Sequence, residues 1–348
     1  MREITKLFRI LSHCFIKPRT PTKIWYGITE RCNSRCKNCN IWKQPKKEKD
    51  ELAPDEIYKI FSDPLFKNVD TVLISGGEPT LRADLLDCVR AIHRALPEAK
   101  INIATNGNNP EYFIYVTQYL LELGIPLIVS TSIDGIGRTH DKIRGRGSWK
   151  KVKSLIYGLV DLRRSYPELQ IGFGTVLTQE NATEITKIVE FAEEWDLYYL
   201  IQWYNNSSYY SNLWDDETQA DVELELSIVK KLDDQRFGML KEKWIDWLNG
   251  KPIKFNCYAL RDFLVIKANG DVVPCLTQWN WKIGNFKTDS PEKVWDGWLR
   301  QKALQTVSNC QGCLNSWGCY WSWESDGWPY VKYFISHPKL LLRKLRRK

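Results

Sequence analysis

Along the first two-thirds of the chain, short runs of β-branched and aromatic residues alternate with longer stretches whose apolar residues recur every three or four positions. The short runs at 23–28, 69–75, 100–105, 127–133, 170–177 and 198–202 predict strands. The longer stretches at 54–62, 81–95, 111–123, 149–164 and 182–195 predict helices. Short connections between them predict right-handed βαβ units and a parallel sheet, so the fold class is α/β. Such sheets build their sites where the C-terminal ends of the strands meet the following loops.

The fourth run shows the period of two most clearly. It places Ser130, Ser132 and Asp134 on one face and Val129, Thr131 and Ile133 on the other. A polar face on a buried parallel strand is costly unless it meets a polar partner. Gly135 follows, and Arg144 comes a short loop later. The third run also ends in a turn, Thr105-Asn-Gly107, on the same presumed edge.

Behind the first strand stands Arg31-Cys-Asn-Ser-Arg-Cys-Lys-Asn-Cys39. Three closely spaced thiolates suit an iron–sulfur cubane, and equally a zinc knuckle. A cubane on Cys32, Cys36 and Cys39 leaves one iron open to a chelating small molecule. The second strand ends in Ser75-Gly-Gly-Glu-Pro79, where bare backbone at Gly76 and Gly77 permits close approach to a ligand. Glu78 is a candidate acceptor for a ligand's ammonium group.

The cysteine triplet followed by Gly-Gly-Glu-Pro resembles the radical S-adenosylmethionine enzymes over most of the chain. The resemblance implies a partial (β/α)6 barrel and a 4Fe–4S cluster on Cys32, Cys36 and Cys39. It implies S-adenosylmethionine at the open iron, with Gly76, Gly77 and Glu78 lining its methionyl end. Ser132, Asp134 and Arg144 match a Ser-x-Asp-Gly…Arg-Gly arrangement near the ribose and carboxylate of that cofactor. One departure is Asn38, where the family often has an aromatic residue near adenine.

Residues 215–250 are charged and helical in pattern, and the texture then changes. Asn269-Gly-Asp271 between two β-branched runs predicts a hairpin that presents Cys275. Cys257, Cys275, Cys310, Cys313 and Cys319 resemble the auxiliary-cluster domain called SPASM, or its shortened twitch form. Position 323, where the full pattern expects a cysteine, is Trp323. The resemblance therefore implies one auxiliary 4Fe–4S cluster, with Cys257, Cys275, Cys310 and Cys313 as first-choice ligands. Cys319 is able to replace either member of the Cys310-x2-Cys313 pair, and zinc competes for the same thiols. Cys14 and Cys88 lie in helical patterns and read as packing residues.

These boundaries divide the chain into a basic amphipathic helix at 1–22, the barrel at 23–214 and connecting helices at 215–250. The auxiliary domain follows at 251–330 and a basic tail at 331–348. About 22 residues precede the first strand, which predicts no leader-gripping domain ahead of it.

Net charge is +8, unevenly spread. Residues 1–23 carry net +5 and 331–348 carry net +7, so the body between them carries −4. A mildly acidic body argues against a broad nucleic-acid surface. Clustered cysteines in a long chain with no signal-peptide pattern predict a reducing cytoplasm. Ile4, Leu7, Phe8, Leu11 and Phe15 fall on one helical side, with Arg2, Lys6 and Arg9 opposite. Together with the leucine- and lysine-rich tail, this pattern predicts peripheral contact with the inner membrane face.

The resemblance implies cleavage of S-adenosylmethionine and hydrogen abstraction from a substrate, with a flavodoxin or ferredoxin as reductant. Peptide modification, a sugar or other small metabolite, and a lipid-linked substrate all remain open. A non-enzymatic zinc-binding adaptor is the reading from a different class. The aromatic stretch 198–214 is a candidate substrate wall.

Overall fold

The computed structural model describes residues 11–16, 18–44, 50–204, 207–212, 222–232, 234–251, 256–310 and 316–338. Six parallel strands form the body: β1 (Lys23–Thr29), β2 (Thr71–Gly76), β3 (Lys100–Ala104), β4 (Leu127–Ser132), β5 (Gln170–Leu177) and β6 (Tyr198–Trp203). They lie in the order β6-β5-β4-β3-β2-β1, each pairing in parallel with its predecessor in sequence. Crossing helices cover the outside: α1 (Pro54–Phe61), α2 (Leu85–Ala95), α3 (Pro110–Glu122), α4 (Arg138–Arg144), α5 (Ser148–Ser165) and α6 (Ile185–Glu194). The parallel sheet is the one expected from the alternation, and its six units make the partial (β/α)6 barrel that the resemblance implies.

Strand β1 is buried along its whole length because both of its faces are covered. Ile24, Tyr26 and Ile28 join the outer core, where Tyr26 meets Phe61 edge-on. Trp25 points the other way, into a separate inner cluster with Tyr209, Val265, Val273 and Trp279. Period two thus sends alternate residues of one strand into helix-packing and barrel-interior cores.

Past the barrel come α7 (Val222–Lys231) and α8 (Asp234–Leu248). The expected hairpin then forms from β7 (Phe263–Ile266) and β8 (Asp271–Val273), turning through Gly270 at φ +83°. A left-handed residue is what this turn requires, and glycine adopts it without cost. The hairpin continues the barrel sheet rather than standing apart from it. β7 pairs in parallel with β1, and β9 (Gly284–Asn285) extends the sheet beyond β8.

The C-terminal helices are α9 (Pro291–Asp296), α10 (Trp298–Ser308), α11 (Ser316–Asp326) and α12 (Trp328–Ser336). A buried polar knot holds α11 to the barrel. Lys23, at the start of β1, pairs with Asp262 at 3.1 Å and approaches Glu324 at 3.9 Å. Asp262 also accepts from the hydroxyls of Thr22 and Ser325. Among the described residues, no helix is long and apolar enough to cross a membrane. Of the terminal pattern, residues 1–10 and 339–348 lie outside the described residues.

Candidate functional site

The cysteine loop leaves the C-terminal end of β1 and is clamped by the end of β2. Gly77 N donates to Thr29 O, and Glu78 N to Arg31 O, both at 2.7 Å. A Cβ on Gly76 would lie 2.2 Å from Thr29 O, and one on Gly77 would lie 2.0 Å from Arg31 O. The expected close approach is therefore real, but what the paired glycines approach is the cysteine loop's own backbone.

Glu78 is fully buried. Its Oε1 accepts from Thr80 N, Thr80 Oγ1 and Thr105 Oγ1, and its Oε2 accepts from Asn106 N at 2.6 Å. Burial raises its pKa, and those four hydrogen bonds oppose the rise. Both carboxylate oxygens are engaged by protein donors, three on Oε1 and one on Oε2, which gives Glu78 a bracing role that the sequence expectation of a ligand acceptor did not include. Glu78 fastens the end of β2 to the end of β3. From that point Asn106 Nδ2 reaches Asn33 Oδ1 at 2.7 Å and Cys32 Sγ at 3.8 Å. The turn after β3 was visible in the sequence, but this bracing role was not.

Burial alternates along β4, with Val129, Thr131 and Ile133 buried and Ser130 and Ser132 half-buried on the other face. Asp134 follows, fully buried, and accepts from Arg144 Nε at 2.6 Å and Val176 N at 2.8 Å. Arg144 Nη1 also approaches Cys36 Sγ at 3.9 Å. Asn38 Nδ2 lies 3.5 Å from Asp134 Oδ2, so the departure from an aromatic residue places an amide against this pair. Asn181, a residue with no sequence signal beyond its place after β5, donates to Asp134 O and Val176 O. The cysteine loop is thereby braced by the ends of β2, β3 and β4.

A segment following β6 closes over this arrangement. Asn40 N donates to Tyr210 O, and Gln44 donates to Ser211 Oγ at 2.6 Å. Tyr209 packs edge-on against Trp25 and Trp279, and Trp279 N donates to Ser208 Oγ. A small cavity of about 10 Å³ remains, bordered by Gly27, Gly76, Gly77, Tyr209 and Trp279. Of the expected substrate wall, Tyr198 is instead exposed at the start of β6, the opposite end of the barrel. Trp214 lies outside the described residues.

Three of the C-terminal cysteines line one larger cavity of about 420 Å³: Cys257, Cys275 and Cys310. Phe263, Leu276, Trp281 and Val307 contribute apolar walls. Cys313 lies outside the described residues. Cys319 is buried in the main core beside Trp323, and only its neighbour Gly318 borders the cavity. Cys14 and Cys88 are buried, and burial pushes the Cys88 thiol up to about 12.

The donor chemistry of both groups fits iron–sulfur ligation. Burial raises the thiols of Cys32 and Cys36, and raises Cys39 to about 12 and Cys257 to about 11. The packed Cys88 is raised by the same cause, so these shifts mark burial, and the fit to a cluster rests on the thiol donor type, which suits iron–sulfur and zinc alike.

Two family descriptions match the chain: the radical SAM superfamily over residues 26–192 and an iron–sulfur cluster-binding domain, SPASM, over residues 257–314. Among curated relatives, the Fe-coproporphyrin III synthase of Methanosarcina barkeri is 28% identical over 181 residues. That match covers 52% of this chain and 43% of the relative, so the chain spans less than half of the relative's length. Among solved structures, Streptococcus suis SuiB bound to its precursor peptide SuiA superimposes with a TM-score of 0.64 at 16% identity. It covers 87% of this chain and 70% of SuiB. Native anSMEcpe with bound AdoMet and the Cp18Cys peptide gives a TM-score of 0.59 at 15% identity, covering 94% of this chain and all of that one. The first match implies a 4Fe–4S cluster with S-adenosylmethionine, and the second match implies auxiliary iron–sulfur ligation. The chain carries a radical SAM superfamily domain over residues 26–192 and a C-terminal SPASM domain over residues 257–314.

Proposed function

We propose that this protein modifies a substrate oxidatively by hydrogen abstraction, using S-adenosylmethionine at a cluster held by Cys32, Cys36 and Cys39. The bound cofactors supply a 5′-deoxyadenosyl radical. This chain's residues supply placement, exclusion of water and a fixed geometry. The observation that carries the reading is the bracing of the three-cysteine loop by Glu78 and Asn106, just past the ends of β2 and β3, and by Arg144, the last residue of α4, which pairs with Asp134 just past β4. The loop is held as a rigid receptor, which a merely packed loop does not require. Gly76, Gly77, Ser132, Asp134 and Arg144 border the cofactor in this reading, with Glu78 acting from behind them.

A second cluster would be held by Cys257, Cys275, Cys310 and Cys313. The shared cavity supports the first three, and the burial of Cys319 in the main core makes it the weaker candidate. A low-potential flavodoxin- or ferredoxin-type protein would deliver the electron.

A peptide is the substrate class with most support. The fold likeness to SuiB bound to its precursor peptide SuiA and to anSMEcpe bound to the Cp18Cys peptide spans 87% and 94% of this chain, whereas the Fe-coproporphyrin III synthase match covers about half of it. Iron and acid-labile sulfide analysis of anaerobically reconstituted protein tests the two-cluster reading. About eight irons are expected from two cubanes, and about four in a Cys257→Ala/Cys275→Ala variant. Zinc in the C-terminal site, or an unchanged iron content in that variant, contradicts the reading.

A further inference from the structure

Two segments some three hundred residues apart in sequence, around residues 13–16 and 324–335, meet on one surface. His13 Nδ1 hydrogen-bonds Glu324 O at 2.8 Å, and Trp328 Nε1 donates to Cys14 O at 3.1 Å. Phe15 sets its ring against Trp328, centroids 6.1 Å apart at 67°. Around this junction large apolar side chains face outward: Phe15 is 82% exposed, Ile16 73%, Trp328 44% and Ile335 75%. On α12, Trp328, Lys332 and Ile335 stand at i, i+4 and i+7, hence on one helical face, and Lys332 is exposed.

Charge identifies what covers this face. In sequence, residues 1–22 hold five basic residues and one acid, Lys23 being buried in its pair with Asp262, and residues 331–348 hold seven basic residues and no acid; of these, Arg19 and Lys332 are exposed among the described residues. The neighbouring carboxylates of Glu324 and Asp326 are buried, so they do not offset that charge at the surface. Exposed aromatic and aliphatic side chains beside Lys332, on segments whose sequence is strongly basic, match the two layers of an anionic bilayer surface, acyl chains below and phosphate headgroups above. A nucleic acid would engage the cations but would leave Phe15 and Ile335 without a partner.

The geometry also fixes which end of the barrel this surface adjoins. Glu324 lies beside Lys23, the first residue of β1, whereas the cysteine loop leaves the last residue of that strand. We infer that the protein docks on an anionic membrane through Phe15, Ile16, Trp328, Lys332 and Ile335, with the cysteine-loop end of the barrel facing away from the lipid. The inference is independent of the substrate reading. It implies recruitment to the membrane, with substrate entering from the aqueous side.

Co-sedimentation of the full chain with phosphatidylglycerol–phosphatidylcholine vesicles, against phosphatidylcholine alone, tests this. Binding should require the anionic lipid and weaken at high salt. It should fall about tenfold or more in Phe15→Ser/Ile335→Ser, whose exposed positions leave the circular dichroism spectrum unchanged. Equal binding to both vesicle types, or undiminished binding by the double variant, overturns the inference. So does a dimer that the double variant abolishes, since the face would then be an interface between copies. Retention on nucleic acid that outcompetes the vesicles overturns it as well.

Discussion

The phenolic hydroxyl of Tyr209 donates to the main-chain oxygen of Gly76 across 2.7 Å, joining the segment after β6 to the glycine pair that clamps the cysteine loop. The ring is buried between Trp25 and Trp279, so the hydrogen bond forms where water does not compete. Tyr209→Phe removes the hydroxyl's hydrogen bonding while keeping the ring, and should cost about 1 kcal/mol in urea denaturation. Tyr209→Ala also empties the aromatic cluster and should cost about 3–5 kcal/mol. Equal losses in the two variants would show that the hydroxyl, rather than the packing, dominates.

Asp134 and Arg144 form a pair whose carboxylate is fully buried and whose guanidinium is 13% exposed. Removing one partner of such a pair leaves the other buried and uncompensated. Asp134→Asn should therefore destabilise by about 3 kcal/mol, and Arg144→Met by a comparable amount. The double variant should lose clearly less than the sum, with a coupling energy of about 1 kcal/mol or more. Strict additivity of the two losses would mean that the ion pair does not organise this corner.

Gly77 has no room for a side chain, since an added Cβ would meet Arg31 O at 2.0 Å. Both partners are backbone, so neither yields without moving the loop. Gly77→Ala should loosen the cysteine loop and lower iron content from about eight to about four per chain, sparing the C-terminal site. Full iron loading in this variant would show that the clamp is dispensable.

His140 supplies the pH dependence. Burial first, and then the nearby Arg144, hold its imidazole down at about 4. Its Nδ1 accepts from Asp134 N at 3.3 Å, and its ring packs on Trp149. A proton on Nδ1 would face that donor directly. The unfolded chain takes up this proton near pH 6.5. Stability from the neutral imidazole is thus fully present above that value and is lost as pH falls towards 4, about 3 kcal/mol at most. Denaturation curves across this window should slope more steeply for wild type than for His140→Gln. Parallel curves would contradict the assignment.

Most of the barrel was legible because its strands and helices carry opposite periodicities over long, well-separated runs. The strand at 170–177 and the helix at 54–61 emerge within a residue of their predicted bounds. Polar positions on β4 and the hairpin turn at Gly270 were likewise visible, since alternation and turn chemistry are local properties. What was hidden depends on contacts distant in sequence. Nothing local to Glu78 shows that Thr105 and Asn106 will satisfy its carboxylate, or that Tyr209 will reach Gly76. The same holds for the sheet, where β7 joins β1 across more than two hundred residues. Cys319 carried the right residue type and a plausible spacing, and only the packing of α11 turns it into the core.

The central claim is that Cys32, Cys36 and Cys39 hold the cluster at which S-adenosylmethionine is cleaved. The most direct measurement is 5′-deoxyadenosine release from reconstituted protein under anaerobic reduction, comparing wild type with the Cys32→Ala/Cys36→Ala/Cys39→Ala variant. The account predicts release by wild type and none by the triple variant, which should still retain about four irons at the C-terminal site. Continued formation of 5′-deoxyadenosine by the triple variant would contradict it.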